Sequence, residues 1–302
     1  MSQLITIDFQ AMGTRCALNL YAEDETAARR SAELIMADVT RLEAKYSRYL
    51  ADSFLSKINL IAEQGGSITV DAETATLLDY AQTCTIESDG LFDISSGLLR
   101  RAWNFQADGQ AELPDPFLLN TLLERVGWQH LSWQSPCLTF RRAGMELDLG
   151  GIVKEYAADR AVTLLRELGI HHGLVNLGGD IAVTGPRADG QPWRVAIENP
   201  ESPAEPLRIV ELSNGAMASS GSYARCIDID GVRYSHLLHP ATGDPLTGTL
   251  AATVIAEQCV VAGSLATIAL LKGDDGEAFL SSTQLPFLLL NANGRFIDHL
   301  TT

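Results

Sequence analysis

The sequence predicts an α+β fold, in which helices pack against mixed or antiparallel sheets. Segments with alternating apolar residues, which indicate strands, occur together with segments whose apolar residues have helical spacing. These segments do not alternate as the regular strand–helix–strand units that a doubly wound parallel sheet requires. We expect a single domain over residues 1–302, or a variant of it with two lobes and the ligand site between them.

The composition is that of a folded protein with a large core. The chain has 302 residues, of which 46% are hydrophobic, and it can bury a substantial apolar surface. Its formal net charge of −16 argues against a nucleic-acid partner, and an anionic ligand would need local positive groups to hold it. The five cysteines are scattered without a Cys-x-x-Cys pair, so they fit neither a disulfide framework nor a zinc site.

The sequence as written predicts a cytoplasmic protein without a transmembrane segment. No apolar run has the length of a membrane-spanning helix, and the first residues, MSQLITIDFQ, lack the features of a secretory signal. If a signal peptide was removed before the first residue, the protein would instead be periplasmic or anchored to a membrane.

The first half of the chain predicts two strands, two long helices and a loop. The predicted elements are strands at 4–9 and 16–21 around the turn Ala11-Met12-Gly13-Thr14, a helix from Thr26 to Tyr46 with Asp24 as N-cap, a helix from Asp71 to Gly90, and a loop at 106–116. Trp103 and Phe105 could stack on a flat ligand, but aromatic side chains more often fill the core.

The segment 145–168 is the centre of the prediction. A short apolar run ends at Asp148, the turn Gly150-Gly151 follows, and a helix begins at Ile152 and stops at Gly169. Glycines permit close approach of a ligand, and the free N–H groups of a first helical turn attract anions, as does Lys154. The alternative is a strand–turn–helix joint whose glycines only allow tight packing.

The second half of the chain predicts more strands than the first. They are expected at 174–177, 181–184, 193–197, 207–212, 216–220, 253–256 and 287–290, with a helix at 262–271 and turns at Asn214-Gly215, Asp230-Gly231 and Asn293-Gly294. His236 and His239 form a His-x-x-His pair, but no third metal ligand follows at a recognised spacing. Ser219-Ser220-Gly221 lacks the Gly-x-Ser-x-Gly pattern of a nucleophile elbow.

Nine short motifs follow one another along nearly the whole chain. They are Ala11-Met12-Gly13-Thr14; Ser47-Arg48-Tyr49 with Asp52-Ser53 and Asn59; Phe92-Asp93-Ile94; Trp103-Asn104-Phe105; Asp148-Leu149-Gly150-Gly151-Ile152-Val153-Lys154 with Tyr156; Val175-Asn176-Leu177-Gly178-Gly179-Asp180; Ser219-Ser220-Gly221 with Tyr223; His236-Leu237-Leu238 with Pro240 and Thr242-Gly243; and Leu265-Ala266-Thr267. In this combination the sequence resembles the FAD:protein FMN transferase family, also called ApbE.

The resemblance implies an ApbE-like flavin transferase fold and an enzyme that binds FAD together with Mg²⁺. Members move FMN from FAD to a Ser or Thr hydroxyl of a partner flavoprotein and release AMP. By resemblance, His236 would be the general base, which suits the pKa of an imidazole. The implied FAD contacts are Met12, Tyr49, Trp103, Asn104, Phe105, Asp148, Lys154, Leu238 and Asp180, and the implied metal ligands are Gly151, Ala266 and Thr267.

The sequence departs from the family pattern at a metal-binding position. Gly263 stands where the family usually has a magnesium-binding Asp, and Glu155 stands where Gly often follows the lysine. We therefore expect weak Mg²⁺ binding without FAD, and stronger binding if an Asp is restored at position 263. The alternatives are an FAD-binding protein that has lost transfer activity and a Mg²⁺-dependent FAD pyrophosphatase.

Overall fold

The computed structural model describes residues 2–103, 105, 112–200, 202, 205–223, 226–247, 250–291 and 294–300. Within these residues the strands are β1 (Gln3–Ala11), β2 (Thr14–Ala22), β3 (Gly66–Thr69), β4 (Leu131–Gln134), β5 (Cys137–Phe140), β6 (Gly173–Leu177), β7 (Asp180–Val183), β8 (Trp193–Ile197), β9 (Arg208–Leu212), β10 (Ala216–Gly221), β11 (Cys226–Ile229), β12 (Val232–Leu238), β13 (Pro245–Thr247), β14 (Ala251–Ala256), β15 (Phe287–Leu290) and β16 (Phe296–Asp298). The α-helices are α1 (Glu25–Tyr46), α2 (Phe54–Gln64), α3 (Ala72–Glu87), α4 (Pro116–Leu123), α5 (Val153–Glu167), α6 (Cys259–Leu271) and α7 (Gly276–Thr283).

A large antiparallel sheet forms the centre of the fold. Its eight strands lie in the order β1-β2-β6-β7-β10-β14-β15-β16, and each neighbouring pair is antiparallel. Two smaller antiparallel sheets have the orders β11-β12-β13 and β3-β5-β4, and β8 pairs with β9. This architecture confirms the predicted α+β class.

The sequence predictions for the N-terminal elements are confirmed. The turn between β1 and β2 consists of Met12 and Gly13, both with positive φ (52° and 69°), as the two central residues of a type I′ hairpin require. Asp24 caps α1 by accepting a hydrogen bond of 2.8 Å from the backbone N–H of Ala27. Asp71 caps α3 in the same way through Thr74 N–H.

Helices α5 and α6 pack against each other and against the large sheet. Helix α5 packs against α1, α6 and β6, and α6 packs against β10 and β14. The α5 helix begins at Val153, one residue after the predicted start, and ends at Glu167, just before Gly169 with φ 80°. The first turn of α5 and the body of α6 are therefore neighbours on one face of the large sheet.

The short apolar run before α5 does not form the strand of the strand–turn–helix alternative. Residues 145–149 join no sheet, and the side chain of Asn59 bonds to their backbone instead. Its amide donates to Leu147 O at 2.9 Å, and its Oδ1 accepts from Leu147 N–H at 2.8 Å. The backbone N–H of Asp148 donates to Ile94 O at 2.8 Å. Side-chain and loop groups thus form the hydrogen bonds with the backbone N–H and C=O groups that a neighbouring strand would form in a sheet.

The turn at Asn214-Gly215 was predicted to join two paired strands of a hairpin. This prediction is wrong, because the flanking strands do not pair with each other. β9 pairs with β8, whereas β10 enters the large sheet between β7 and β14. Gly215 lies so close to β14 that a Cβ there would be 2.5 Å from Ala256 O. The glycine therefore allows two backbones to approach closely. β10 lies inside the large sheet, where it has a neighbouring strand on each side.

Candidate functional site

A cavity lies where the first turn of α5 meets β12, α6 and the loop before the 3₁₀ helix Ser96–Arg101. It is lined by Leu91, Phe92, Asp93, Ile94, Ser96, Gly97, Arg100, Asp148, Gly151, Ile152, His236, Leu237, Leu238, Thr267 and Leu271. Five of the residues that the sequence predicted for the site are among them: Asp148, Gly151, His236, Leu238 and Thr267. These five residues come from three separate parts of the chain: the segment before α5, β12 and α6.

The glycine turn before α5 is held by backbone groups and by Asp148. Leu149 O accepts hydrogen bonds from Ile152 N–H (3.0 Å) and Val153 N–H (2.9 Å), and Asp148 Oδ1 accepts from Gly150 N–H (2.8 Å). A Cβ on Gly151 would lie 3.5 Å from the ring of Phe92. The turn therefore presents exposed backbone to the cavity at the positive end of the helix dipole.

The carboxylate of Asp148 is the centre of a cationic cluster. Its Oδ2 forms an ion pair with Arg100, and Arg48 Nη1 lies 3.6 Å from the same oxygen. Burial alone would lower the pKa of Arg48, but the Asp148 carboxylate raises it above its ordinary value. Gly97 is required here, since a Cβ at that position would be 2.5 Å from Asp148 Cβ. Arg48 also lies 3.8 Å from Glu146 Oε1, and of the two arginines only Arg100 lines the cavity.

Arg100 is a site residue that the sequence interpretation missed. It lines the cavity beside Asp148, and its side chain is 34% exposed. The signal was available, because Arg100 and Arg101 form a basic pair in a chain whose net charge is −16. The sequence alone does not show which of the two arginines lines the cavity. In the structure Arg101 forms an ion pair with Glu146 at 2.7 Å instead.

Lys154 and Asp180 lie together but do not line this cavity. Lys154 Nζ forms an ion pair with Asp180 Oδ2 and lies 3.5 Å from Glu155 Oε1. The Asp180 side chain is almost fully buried, and its other oxygen accepts from Ser219 N–H at 3.4 Å. The lysine is therefore tied to the large sheet rather than extended toward the cavity, although it remains in the first turn of α5 as predicted.

The predicted aromatic contacts lie elsewhere. Trp103 is 4% exposed, packs in a hydrophobic cluster, and donates from Nε1 to Gly243 O at 2.9 Å, with the Phe105 ring stacked on it at 6.2 Å. Tyr49 is 66% exposed, with its ring 4.9 Å from the Arg48 guanidinium. Met12 lies in the β1–β2 turn. None of these four lines the cavity, and Asn104 is outside the residues that the structure describes.

The residues on α6 allow a test of whether a divalent cation fits. Thr267 lines the cavity with Gly151, and Ala266 is fully buried beside it. Over the described ranges there is no group of three or more His, Cys, Asp or Glu side chains able to hold a metal ion. However, the buried side chain of Glu155 has one oxygen, Oε2, without a hydrogen-bond partner among the described residues. A cation that also contacts a ligand phosphate fits this donor set; a cation bound by protein alone does not.

The chain is similar to one family along most of its length. The ApbE family model matches residues 12–289. A protein from Vibrio cholerae named FAD:protein FMN transferase is 31% identical over 81% of this chain and 74% of its own length. One of the same name from Salmonella typhimurium is 32% identical over 83% of this chain and 73% of its own length.

Solved structures agree with this similarity. The ApbE protein from Thermotoga maritima superposes with a TM-score of 0.89 and 28% identity, and the match covers 98% of this chain and 97% of that one. Flavin transferase ApbE from Vibrio cholerae gives a TM-score of 0.87 at 27% identity, with 100% and 98% of the two chains covered. Among the described residues, no helix has the length and apolar character needed to cross a membrane.

Proposed function

The chain belongs to the ApbE family, and we propose from this membership that it is an FAD:protein FMN transferase, an enzyme that moves FMN from FAD to a Ser or Thr hydroxyl of a partner flavoprotein and releases AMP. The observation that carries the proposal is the cavity that gathers His236, Asp148, Gly151 and Thr267 from separate parts of the chain. We also propose that FAD binds here with Mg²⁺.

The start of α5 is suited to bind the pyrophosphate of FAD. Its exposed glycine turn and first-turn N–H groups carry partial positive charge, and Arg100 adds a full charge at the same cavity. Asp148 holds Arg100 in place and caps the turn through Gly150 N–H. These groups stabilise the negative charge that the phosphates carry when the phosphoanhydride breaks.

We propose His236 as the general base for the acceptor hydroxyl. It is half-buried on β12 and lines the cavity together with Leu238. In the reaction, the hydroxyl oxygen forms a bond to the FMN phosphorus, the bond between that phosphorus and the bridging oxygen breaks, and AMP leaves with the bridging oxygen. His236 accepts the hydroxyl proton as general base. No oxidation or reduction takes place.

Mg²⁺, when bound, supplies charge neutralisation on the pyrophosphate. The residues that would hold it are Gly151 and Ala266 through backbone carbonyl groups and Thr267 through its hydroxyl. None of these carries a formal charge, so the phosphate oxygens must supply part of the coordination shell. We propose accordingly that Mg²⁺ binds weakly in the absence of FAD.

Chromatography of the nucleotides formed from FAD and Mg²⁺ tests the proposal against two alternatives. A transferase forms AMP only when an acceptor flavoprotein domain is present and forms no matching free FMN. A pyrophosphatase forms equal amounts of AMP and free FMN without the acceptor. A protein that only binds FAD forms neither product. Gly263, which has no side chain to bind a metal, is the observation that favours this binding-only alternative.

A further inference from the structure

The Glu155 side chain occupies the space that Gly263 leaves open between α5 and α6. A Cβ on Gly263 would lie 2.7 Å from Glu155 Cγ and 3.2 Å from both Cδ and Oε1. Glu155 is 8% exposed. The carboxylate on one helix thus requires the glycine on the other, and a larger side chain at either position would displace the other.

This contact lies next to the cavity. Gly263 and Thr267 are four residues apart on α6 and share one face of that helix. Glu155 lies in the first turn of α5, directly after the turn that contains Gly151. Since Thr267 lines the cavity, Gly263 is one helical turn from that wall, and Glu155 packs against it.

The charge around Glu155 is not balanced by protein groups. Lys154 Nζ lies 3.5 Å from Glu155 Oε1 but forms its close ion pair with Asp180, so one ammonium serves two carboxylates. Glu155 Oε2 is buried and has no hydrogen-bond partner within the described part of the chain. A buried carboxylate in this position is strongly destabilised unless a cation or donor reaches it.

The neighbouring Asp159 does not share this property. Its two oxygens accept from Cys259 N–H (2.6 Å) and Val260 N–H (2.9 Å), so it caps the start of α6. Its charge is therefore matched by the helix terminus. Of Glu155 and Asp159, only Glu155 has an oxygen without a hydrogen-bond partner in the described part of the chain.

We propose that Glu155 is the protein carboxylate that binds the divalent cation, with the cation held between Glu155, Thr267 and the pyrophosphate of FAD. The inference rests on the proposed function, since FAD supplies the phosphate ligands. It also changes the expectation for position 263. An Asp introduced there alone would collide with Glu155, so Gly263→Asp should not strengthen metal binding, contrary to the sequence-based prediction.

Binding of Mn²⁺ to the complex with FAD tests the assignment. Free Mn²⁺ is measured by its electron paramagnetic resonance signal, with binding by FAD alone subtracted and no acceptor protein present. Glu155→Gln, which keeps the shape and removes the charge, should weaken Mn²⁺ binding about tenfold or more. Glu167→Gln removes an exposed carboxylate from the same helix and should leave the affinity unchanged.

A reciprocal variant tests the geometry of the contact. Gly263→Asp alone should lower the melting temperature, whereas Glu155→Gly combined with Gly263→Asp should restore melting and recover Mn²⁺ affinity to within about threefold of the wild type. This double variant also covers the case in which Glu155→Gln does not fold. Wild-type Mn²⁺ affinity in folded Glu155→Gln, or no recovery in a folded double variant, would overturn the inference.

Flavin fluorescence separates the two proposals. If the wild-type protein changes neither the intensity nor the anisotropy of FAD fluorescence, both the proposed function and this inference fail. If it binds FAD but its Mn²⁺ affinity does not depend on Glu155, only the metal assignment fails.

Discussion

The ammonium of Lys154 forms an ion pair with the carboxylate of Asp180, which joins the first turn of α5 to the start of β7. The Asp180 side chain is 3% exposed and that of Lys154 27%. The pair fixes the end of the helix that lines the cavity relative to the large sheet. The pair therefore also constrains the position of the glycine turn that precedes α5.

Removal of either partner should destabilise the protein. Asp180→Asn and Lys154→Met should each lower the free energy of unfolding by on the order of 2–4 kcal/mol, since Lys154→Met leaves a buried carboxylate without its partner and Asp180→Asn leaves the ammonium only the more distant Glu155. The double variant should lose less than the sum of the two. Urea denaturation measures all three. If Lys154→Met instead abolishes FAD binding at unchanged stability, the lysine contacts FAD directly, as the sequence predicted.

An exposed ring is available for FAD beside the arginine cluster. Tyr49 is 66% exposed next to Arg48, although it does not line the cavity of the protein without FAD. If the ring stacks on FAD, Tyr49→Ala should weaken FAD binding by about 1 kcal/mol, and Tyr49→Phe should leave it unchanged. Titration of flavin fluorescence measures both. Equal affinities in all three proteins would show that Tyr49 is only a surface residue.

His236 should contribute to rate and not to affinity. General-base catalysis typically supplies about 10²- to 10⁴-fold in rate, so His236→Ala should reduce FMN transfer by that factor with little change in FAD affinity. His239→Ala is the matched control, since His239 lies close by on the same segment but does not line the cavity. A parallel loss of transfer and of FAD affinity in His236→Ala would make the residue a structural one.

An ion-pair network between α1 and α3 should make the free energy of unfolding depend on pH. Glu73 accepts two hydrogen bonds from Arg41, each 2.8 Å, and lies 2.9 Å from Lys45 Nζ. The Arg41 hydrogen bonds are the main cause that lowers the pKa of Glu73 from 4.5 to about 2. Because the pKa is lowered on folding, this stabilisation is complete above about pH 4.5 and is lost as the pH falls toward 2.

The corresponding measurement is unfolding by urea at several pH values. Glu73→Gln should lower the free energy of unfolding at pH 7 by about 1 kcal/mol, because water screens partly exposed pairs. The difference from the wild type should shrink below pH 4.5. Glu33→Gln, an exposed position on α1, should show no such change. A constant difference between Glu73→Gln and the wild type from pH 7 to pH 2 would contradict the assignment.

Elements with strong periodicity or caps were predictable from the sequence. Helix α1 has a capping Asp and a long apolar face, and β8 and β15 have the predicted bounds. Helices α2, α4 and α7 were missed. They are short, with 11, 8 and 8 residues, and bury few side chains, so their periodic signal is weak, although Ser53 caps α2 and Asp115 caps α4.

Part of the site could be predicted and part could not. The glycine turn before α5 and His236 belong to motifs that the sequence displays directly. The contact between Glu155 and Gly263 is not visible in any motif, because the space left by the missing side chain on one helix is filled by a side chain of another helix far along the chain. A single sequence shows two unusual residues at these positions, and only the packing of α5 on α6 shows that they complement each other.

Intact-mass spectrometry of an acceptor flavoprotein domain tests the transferase assignment most directly. The domain is incubated with the protein, FAD and Mg²⁺, and parallel samples contain the His236→Ala variant or lack FAD. We predict that the acceptor gains the mass of one FMN on a Ser or Thr residue with the wild-type protein, and much more slowly with His236→Ala. An unchanged acceptor mass, while the wild-type protein binds FAD, would contradict the assignment and leave FAD binding without transfer as the function.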